Sequence, residues 1–148
     1  MNELLSNRPL LALLAAWILA QALKIPIMIL RRRAWNWRTM FGPGNMPSSH
    51  TAMAAALTTA VAFQEGLSSV AFAVCVALTA FIIYDAAGSR RAATRQARAL
   101  NRLIDSWIAG NPSEREFERV VEMLGHEPSE VLGGLLLGIA LGVAFTAF

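Results

Sequence analysis

Four apolar stretches constrain what this chain can fold into more than any other feature of its sequence. They cover about residues 10–30, 49–63, 67–84 and 131–148. A helix rises about 1.5 Å per residue, so about 20 apolar residues cross a hydrocarbon core of about 30 Å. The chain is 55% hydrophobic with a mean hydropathy of +0.47, which is high for a soluble domain. We therefore expect a single domain over residues 1–148, an all-α integral membrane bundle with about four membrane-embedded helices.

The segment at residues 89–124 differs from these stretches because it is charged. Four arginines recur in it at the spacing of one helix face, with apolar residues on another face: Arg91, Arg95, Arg98 and Arg102. The pattern predicts an interfacial amphipathic helical insertion, separated from the third apolar helix, which we expect to end at Asp85 and Gly88. A basic face of this kind is typical of a solvated surface or of lipid headgroup contact, and an anchor for anionic lipid is a further interpretation.

Four spans place both polar connections, residues 31–47 and 89–128, on the same side of the membrane. Their arginine excess indicates the cytoplasmic side by the positive-inside rule, and we expect the inner membrane of a bacterium. We expect these charges to meet membrane lipid and not nucleic acid. The last stretch carries small residues at the spacing of a helix-packing face, at Gly133, Gly134, Gly138 and Gly142. This pattern is the one indication of a homo-oligomer.

The sequence that opens the second apolar stretch is suited to binding an anion. Pro47 is followed by Ser48 and Ser49, either of which can cap a helix, and His50 follows in the first turn. Helix N-termini bind phosphate through their unpaired N–H groups and the positive end of the helix dipole. The simpler interpretation is a capped helix with a histidine at the membrane interface.

A second histidine lies just before the fourth apolar stretch. His126 and Glu130 are four residues apart, so in a helical turn the carboxylate can approach one imidazole nitrogen and leave the other as nucleophile or base. The same residues also fit a helix N-terminus, with Pro128 in the first turn and acidic side chains near the dipole. A metal site through His126, Glu127 and Glu130 is a weaker interpretation, because Pro128 falls between the ligands.

Cations near the ends of the first and third stretches complete the set of candidate residues. Lys24 lies inside the first stretch, where a cation either extends to the interface or meets an anion. At the exit of the third stretch, Arg90 lies off the basic stripe and toward the apolar side of the predicted helix, a poor place for an arginine without an anionic partner. Asp85 is a candidate partner that holds an arginine.

In their order, these residues resemble the type 2 phosphatidic acid phosphatase superfamily, which shares its fold with vanadium haloperoxidases. The similarity is greatest to the small divergent branch of that superfamily. The first motif of the superfamily is a lysine, six residues and Arg-Pro, and here Lys24 is followed after six residues by Arg31 and then Arg32. The second motif is Pro-Ser-Gly-His, and residues 47–50 match it with Ser49 in place of glycine.

The third motif of the superfamily joins Ser-Arg to a histidine that is followed, after three intervening residues, by an aspartate. Here Ser89 and Arg90 match its first half, and His126 matches its histidine. Glu130 replaces the aspartate, and an insertion of about 35 residues separates the two halves. The resemblance runs from about residue 21 to residue 141.

The resemblance implies a metal-independent membrane lipid phosphatase with no cofactor. His126 would form a phosphohistidine intermediate, Glu130 would orient it, and His50 would protonate the leaving oxygen. The phosphate oxygens would be held by Lys24, Arg31, Ser48, Ser49 and Arg90 or Arg91, with Asp85 holding an arginine. Suitable substrates are phosphate monoesters or diphosphates such as phosphatidate, phosphatidylglycerophosphate or polyprenyl diphosphate. The alternative is a catalytically inactive membrane protein that binds lipid phosphate through the same site.

Overall fold

The structure, a computed structural model, describes residues 2–30, 46–110, 120 and 127–147, and gives no side chains for Asn2, Glu3 and residues 89–91. Most of the described residues are helical, and none of them forms a strand. By length and apolar composition, three of the described helical segments can cross a membrane. The predicted all-α integral membrane bundle is therefore confirmed.

Five main helices follow a short N-terminal helix, Asn2–Ser6. They are α1 (Arg8–Leu30), α2 (Ser49–Glu65), α3 (Val70–Tyr84), α4 (Arg90–Gly110) and α5 (Pro128–Thr146). The three segments that can cross a membrane are α1, α5 and the continuous run from α3 into α4. With 17 residues, α2 is not among the segments that can cross a membrane, as its short apolar stretch indicated.

The ends of α2 and α3 are set by local hydrogen bonds of residues suited to turns. Ser48 has an extended backbone, and its hydroxyl accepts the N–H of Thr51 at 3.4 Å, so Ser48 and not Ser49 is the N-cap of α2. Gly66 ends α2 at φ 83°, a conformation that favours glycine, and its N–H donates to the Ala62 carbonyl at 3.2 Å. The hydroxyl of Ser69 caps α3 by accepting the Phe72 N–H at 3.1 Å.

Alanines four residues apart bring α1 and α2 close together. Their side chains are 0% exposed and form one cluster between the antiparallel helices: Ala12, Ala16 and Ala20 on α1, with Ala60, Ala56 and Ala52 on α2. Side chains this small allow the two backbones to approach closely, and in lipid such packing replaces the hydrophobic effect as the main source of helix association.

Another face of α2 contacts α5, which runs parallel to it, through glycines of α5. A Cβ atom added at Gly134 would collide with the carbonyl oxygen of Ser48, and a Cβ atom added at Gly138 would collide with the carbonyl oxygen of Ala52. Both contacts would be shorter than those that Cβ atoms make in real structures. At Gly142 a Cβ would lie 2.8 Å from the carbonyl oxygen of Ala56. The glycine pattern that indicated a homo-oligomer is therefore used inside the chain.

The helix α3 is held less tightly than α1, α2 and α5. None of its 15 residues, all of which the structure describes, is buried. Its polar contact with α2 is a pair of threonines, Thr58 and Thr79, whose hydroxyl oxygens lie 2.8 Å apart. Each hydroxyl also lies 3.2 Å from a carbonyl oxygen of the opposite helix, at Cys75 and at Ala54. We call these two residues the threonine pair.

The expectation that the third helix ends at Asp85 and Gly88 is wrong. Asp85–Ser89 forms a π-helical turn that leads directly into α4, so the helix from α3 to α4 is continuous. The segment contains no proline, so no backbone donor is lost, and the Asp85 N–H bonds to the carbonyls of Ile82 and Phe81. Much of the rest of the predicted insertion, residues 111–119 and 121–124, lies outside the described residues.

These directions bring four helix ends to one end of the bundle. Because α1 and α3 run antiparallel to α2 while α5 runs parallel to it, the ends of α1 and α3 lie beside the starts of α2 and α5. All the candidate site residues of the described chain lie near this end, which we call the motif end.

The glycine contacts predict a difference between two alanine substitutions in α5. Alanine favours a helix by about 1 kcal/mol relative to glycine, so any loss of stability measures crowding. We expect Gly138→Ala to destabilise the protein by about 1–3 kcal/mol, since the Ala52 carbonyl cannot move freely. At Gly133 the nearest atom is the end of the flexible Met46 side chain, at 2.9 Å, so Gly133→Ala is the matched control. Thermal unfolding in detergent measures both, and equal stability of the two variants would contradict this packing.

Candidate functional site

Lys24 is buried within the bundle. It follows Ala12, Ala16 and Ala20 at the same four-residue spacing, so it continues the face of α1 that packs on α2. Only 3% of its surface is exposed. The side chain therefore does not extend along the protein surface to the interface, as one interpretation of the sequence held. A lysine in this position needs an anionic neighbour.

Glu130 provides that neighbour from the far end of the chain. It lies in the first turn of α5, four residues before Gly134, and is 2% exposed. The charges of Lys24 and Glu130 interact electrostatically. Two buried groups of opposite charge, one from the first motif and one from the third, thus lie together at the motif end.

Hydrogen bonds join Glu130 to the start of α2. Its carbonyl oxygen accepts the N–H of Ser48 at 2.9 Å, which ties the first turn of α5 to the N-cap of α2. Its carboxylate oxygen Oε2 accepts the Glu127 N–H at 3.1 Å, within a capping box. The capping role considered for this segment is therefore present. A carboxylate can accept several hydrogen bonds, so this role leaves room for a further partner.

The predicted serines are buried at the same place. Ser48 is 0% exposed and Ser49 is 5% exposed. The hydroxyl of Ser48 accepts from the Thr51 hydroxyl at 3.0 Å as well as from the Thr51 N–H, so it organises the first turn of α2. Lys24, Ser48, Ser49 and Glu130 are the predicted site residues that the structure brings together.

His50 lies on a different side of α2. It is two residues after Ser48, which turns it by about 200° around the helix. It is exposed, and it lines a cavity between α2 and α3 together with Met53 and Ile82. The backbone of Ser48, in contrast, lies against α5. The first turn of α2 therefore has His50 toward α3 and the backbone of Ser48 toward α5.

The other predicted residues are placed only in part. His126 and Arg31 lie outside the described residues, so the pairing of His126 with Glu130 stays a prediction. Arg90 and Arg91 are described by their backbone alone, at the start of α4. Asp85 begins the π turn at the motif end, where its backbone continues the helix.

Residues that could hold a metal ion do not gather in the described part of the chain, where no three histidine, cysteine, aspartate or glutamate side chains come together. The metal interpretation depended on His126, which is not among these residues. The described site contains a cation, hydroxyls and a helix N-terminus, and such groups bind phosphate oxygens. Its carboxylate, that of Glu130, instead interacts with the lysine cation.

One residue of this end, Thr51, did not stand out in the sequence, and Gly134 has a contact there that its spacing alone did not specify. Thr51 is 0% exposed and bonds to the cap serine, and the signal for it was its position three residues after Ser48. Gly134 lets the Ser48 backbone approach α5, and the glycine spacing in the last stretch was its signal. In α4, Asn101 exchanges two hydrogen bonds of 2.9 Å with the backbone of Val120, a contact that the sequence pattern does not reveal.

Comparison with known proteins agrees with the order of these motifs. A sequence model of the divergent PAP2 family matches residues 5–141, which include every candidate site residue. The chain belongs to this family. It is also 39% identical over 155 aligned positions to the uncharacterized membrane protein YuiD of Bacillus subtilis (strain 168), an alignment that covers 99% of this chain and 98% of that protein. No solved structure matches. The predicted resemblance to a divergent phosphatidic acid phosphatase branch is confirmed.

The proximity of Lys24 and Glu130 predicts energetic coupling between them. Removing one charge leaves the other buried without compensation, a loss of about 3 kcal/mol or more in proteins. We expect Lys24→Met and Glu130→Gln each to lower stability in detergent, and the double variant to be more stable than the sum of the two losses implies. Chemical or thermal unfolding of the four proteins gives the coupling energy. Strictly additive losses would show that the two charges do not stabilise each other.

Proposed function

We propose that this protein hydrolyses a phosphate monoester or diphosphate on a membrane lipid through a phosphohistidine intermediate, without a metal ion. The observation that supports this most directly is the burial of Lys24 and Glu130 beside the N-terminus of α2. Buried charges in a membrane helix bundle are costly, and they occur where function requires them. Family membership supports the same chemistry, because the residues concerned occupy the positions of the superfamily motifs.

The arrangement suits phosphoryl transfer for electrostatic reasons. In such reactions the protein mainly positions the phosphate and stabilises negative charge on its oxygens. The N-terminus of α2 offers the positive end of a helix dipole, and Lys24 adds a full charge on the side of α5. Arg31 and Arg90 or Arg91 would complete the charge around the phosphate, with Ser49 as a hydroxyl donor and Asp85 holding an arginine in place.

The position of His50 fits an in-line displacement. His126 precedes α5, whereas His50 lies on the α3 side of α2. An in-line displacement requires the nucleophile on one side of the phosphate and the acid on the other, so this mechanism needs His126 opposite His50. His126 forms the N–P bond as the P–O bond to the lipid breaks, and His50 transfers a proton to the departing oxygen. Water then releases phosphate from His126, and Glu130 stabilises the imidazolium.

The location of the site favours an amphiphilic substrate. The motif end lies where apolar helices meet the polar connections, so a phosphate there can lie at headgroup depth while its hydrocarbon chains stay in lipid. Phosphatidate, phosphatidylglycerophosphate and polyprenyl diphosphate all have this form. The arginine-rich connections at the same end support a site on the cytoplasmic face of a bacterial inner membrane.

One observation favours the alternative, a protein that binds lipid phosphate without hydrolysing it. The carboxylate of Glu130 caps its own helix through the Glu127 N–H and also lies near Lys24. Both roles can hold α1, α2 and α5 together without any chemistry. Binding of lipid phosphate or vanadate by a protein that releases no phosphate would support this alternative.

A phosphatase assay on the purified protein separates the two functions. We expect phosphate release from lipid phosphates in detergent with a chelator present, and none from His126→Ala, because the nucleophile is missing. His50→Ala should lower the rate by about 10² to 10⁴, the range for a general acid. Activity that persists in His126→Ala would contradict the phosphohistidine mechanism.

A pair of glutamate variants tests the role of Glu130 more specifically. Glu130→Gln removes the buried charge, whereas Glu127→Gln changes an exposed carboxylate three residues away in the same capping box. We expect kcat to fall at least about tenfold in the first and to stay near the parent value in the second, as the charge that stabilises an imidazolium is lost only in the first. Equal activity of the two variants would limit Glu130 to a structural role.

A further inference from the structure

A cavity of about 160 Å³ lies between α2 and α3 and begins at His50. Met53 and Leu57 form its wall on α2, and Cys75, Leu78 and Ile82 form its wall on α3. Leu13 of α1 closes its deeper end. From His50 to Leu57 is seven residues of helix, or about 10 Å along α2. The cavity, which we call the His50 groove, therefore runs from the motif end into the apolar part of the bundle.

The His50 groove has an apolar wall beyond the histidine. Thr79 borders it, but the hydroxyl of Thr79 lies against the Thr58 hydroxyl and the Ala54 carbonyl in the threonine pair. A polar ligand would lose hydrogen bonds to water on entering such a space, whereas a hydrocarbon chain has none to lose. The chemistry of the wall therefore selects an aliphatic or prenyl chain.

The size of the His50 groove fits part of one chain and not a whole lipid. An apolar cavity of about 150 Å³ accommodates benzene, so a volume of this size holds a group of about six carbon atoms. Lipid around the bundle is as apolar as the groove, so moving a chain from one to the other gains little free energy. What the groove can provide is orientation of the atoms attached to that chain.

We propose that the His50 groove holds the first carbons of one hydrocarbon chain of the lipid phosphate substrate and so places its phosphate beside His50. This proposal rests on the proposed function, and it adds the element that selects the substrate class, an ester or diphosphate with a long flexible chain. The occupant is the substrate chain and not bulk lipid, because one end of the groove is formed by a candidate catalytic residue. Chains of ordinary lipids without phosphate have no reason to align there.

Photochemical labelling tests the position of the chain without requiring turnover. The full-length protein is reconstituted in lipid bilayers with a lipid phosphate that carries a diazirine a few carbons from its headgroup, and adducts are located by mass spectrometry. We expect adducts on Leu57, Cys75 and Leu78 in preference to Ala73 and Val76, which are exposed on α3 and do not line the groove. The same lipid without its phosphate should label both sets alike.

A matched pair of phenylalanine variants tests whether the His50 groove acts in substrate selection. Cys75→Phe fills it, and Ala73→Phe adds the same ring to an exposed position of α3. We expect Cys75→Phe to lower kcat/KM for a long-chain lipid phosphate at least about tenfold, the scale of steric discrimination in apolar pockets. Hydrolysis of a short, water-soluble phosphate ester should stay within about twofold of the parent, as should both reactions of Ala73→Phe.

The outcomes separate this proposal from the proposed function. If the parent protein releases phosphate while the labelled lipid marks the groove and the exposed positions of α3 equally, the His50 groove does not bind the chain and the enzyme function stands. If labelling is concentrated in the His50 groove but no lipid phosphate is hydrolysed, the groove does bind the hydrocarbon chain, and the proposed catalytic activity is wrong. Equal loss of both reactions in Cys75→Phe would overturn the role in selection, because it would mark a general disturbance of the fold.

Discussion

The close contact between the backbones of α2 and α5 determines the geometry of everything else at the motif end. It depends on Gly134 and Gly138, where a Cβ atom would collide with the carbonyl oxygens of Ser48 and Ala52. The same contact brings the Ser48 N–H to the Glu130 carbonyl at 2.9 Å. Glu130 precedes Gly134 by four residues, so it continues the glycine face by one turn and enters the bundle at the start of α2. The second and third motifs are thus brought together by the packing of the helices that carry them.

The alanine face of α1 brings the first motif to the start of α2 in the same way, through helix packing. Lys24 follows Ala20 by four residues, just as Glu130 precedes Gly134, so each small-residue face ends in one charged side chain. Both faces pack on α2, and both charges reach its N-terminus. Burial of either charge alone would be costly, whereas together they reduce that cost. The same small-residue faces that pack the helices together therefore also position the two charges.

The sequence predicted those features that depend on local pattern and missed those that depend on distant partners. The Ser48 cap and the glycine face of α5 were readable because capping and packing have fixed spacings. The burial of Lys24 could not be predicted, because a lysine in an apolar stretch can also extend to the membrane interface. Its partner Glu130 lies near the other end of the chain, so no local pattern links the two. The continuity of helix through Asp85 was also missed. Polar residues there indicated a stop, but a helix ends only when its backbone bonds end, and a π turn preserved them.

The bundle has one tight side and one loose side, and this asymmetry matters for a lipid ligand. On the tight side, α1, α2 and α5 are in close contact through alanine and glycine and hold Lys24 and Glu130 in place. On the loose side, α3 contributes no buried residue from any of its described positions, and the threonine pair is its polar link to α2. Interhelical hydrogen bonds in membranes are each worth only about 0.6 kcal/mol on average, so the threonine pair adds little to the attachment of α3 to α2. In the function proposed above, a hydrocarbon chain from the bilayer would enter beside His50 on the loose side, while Lys24 and Glu130 stay fixed on the tight side.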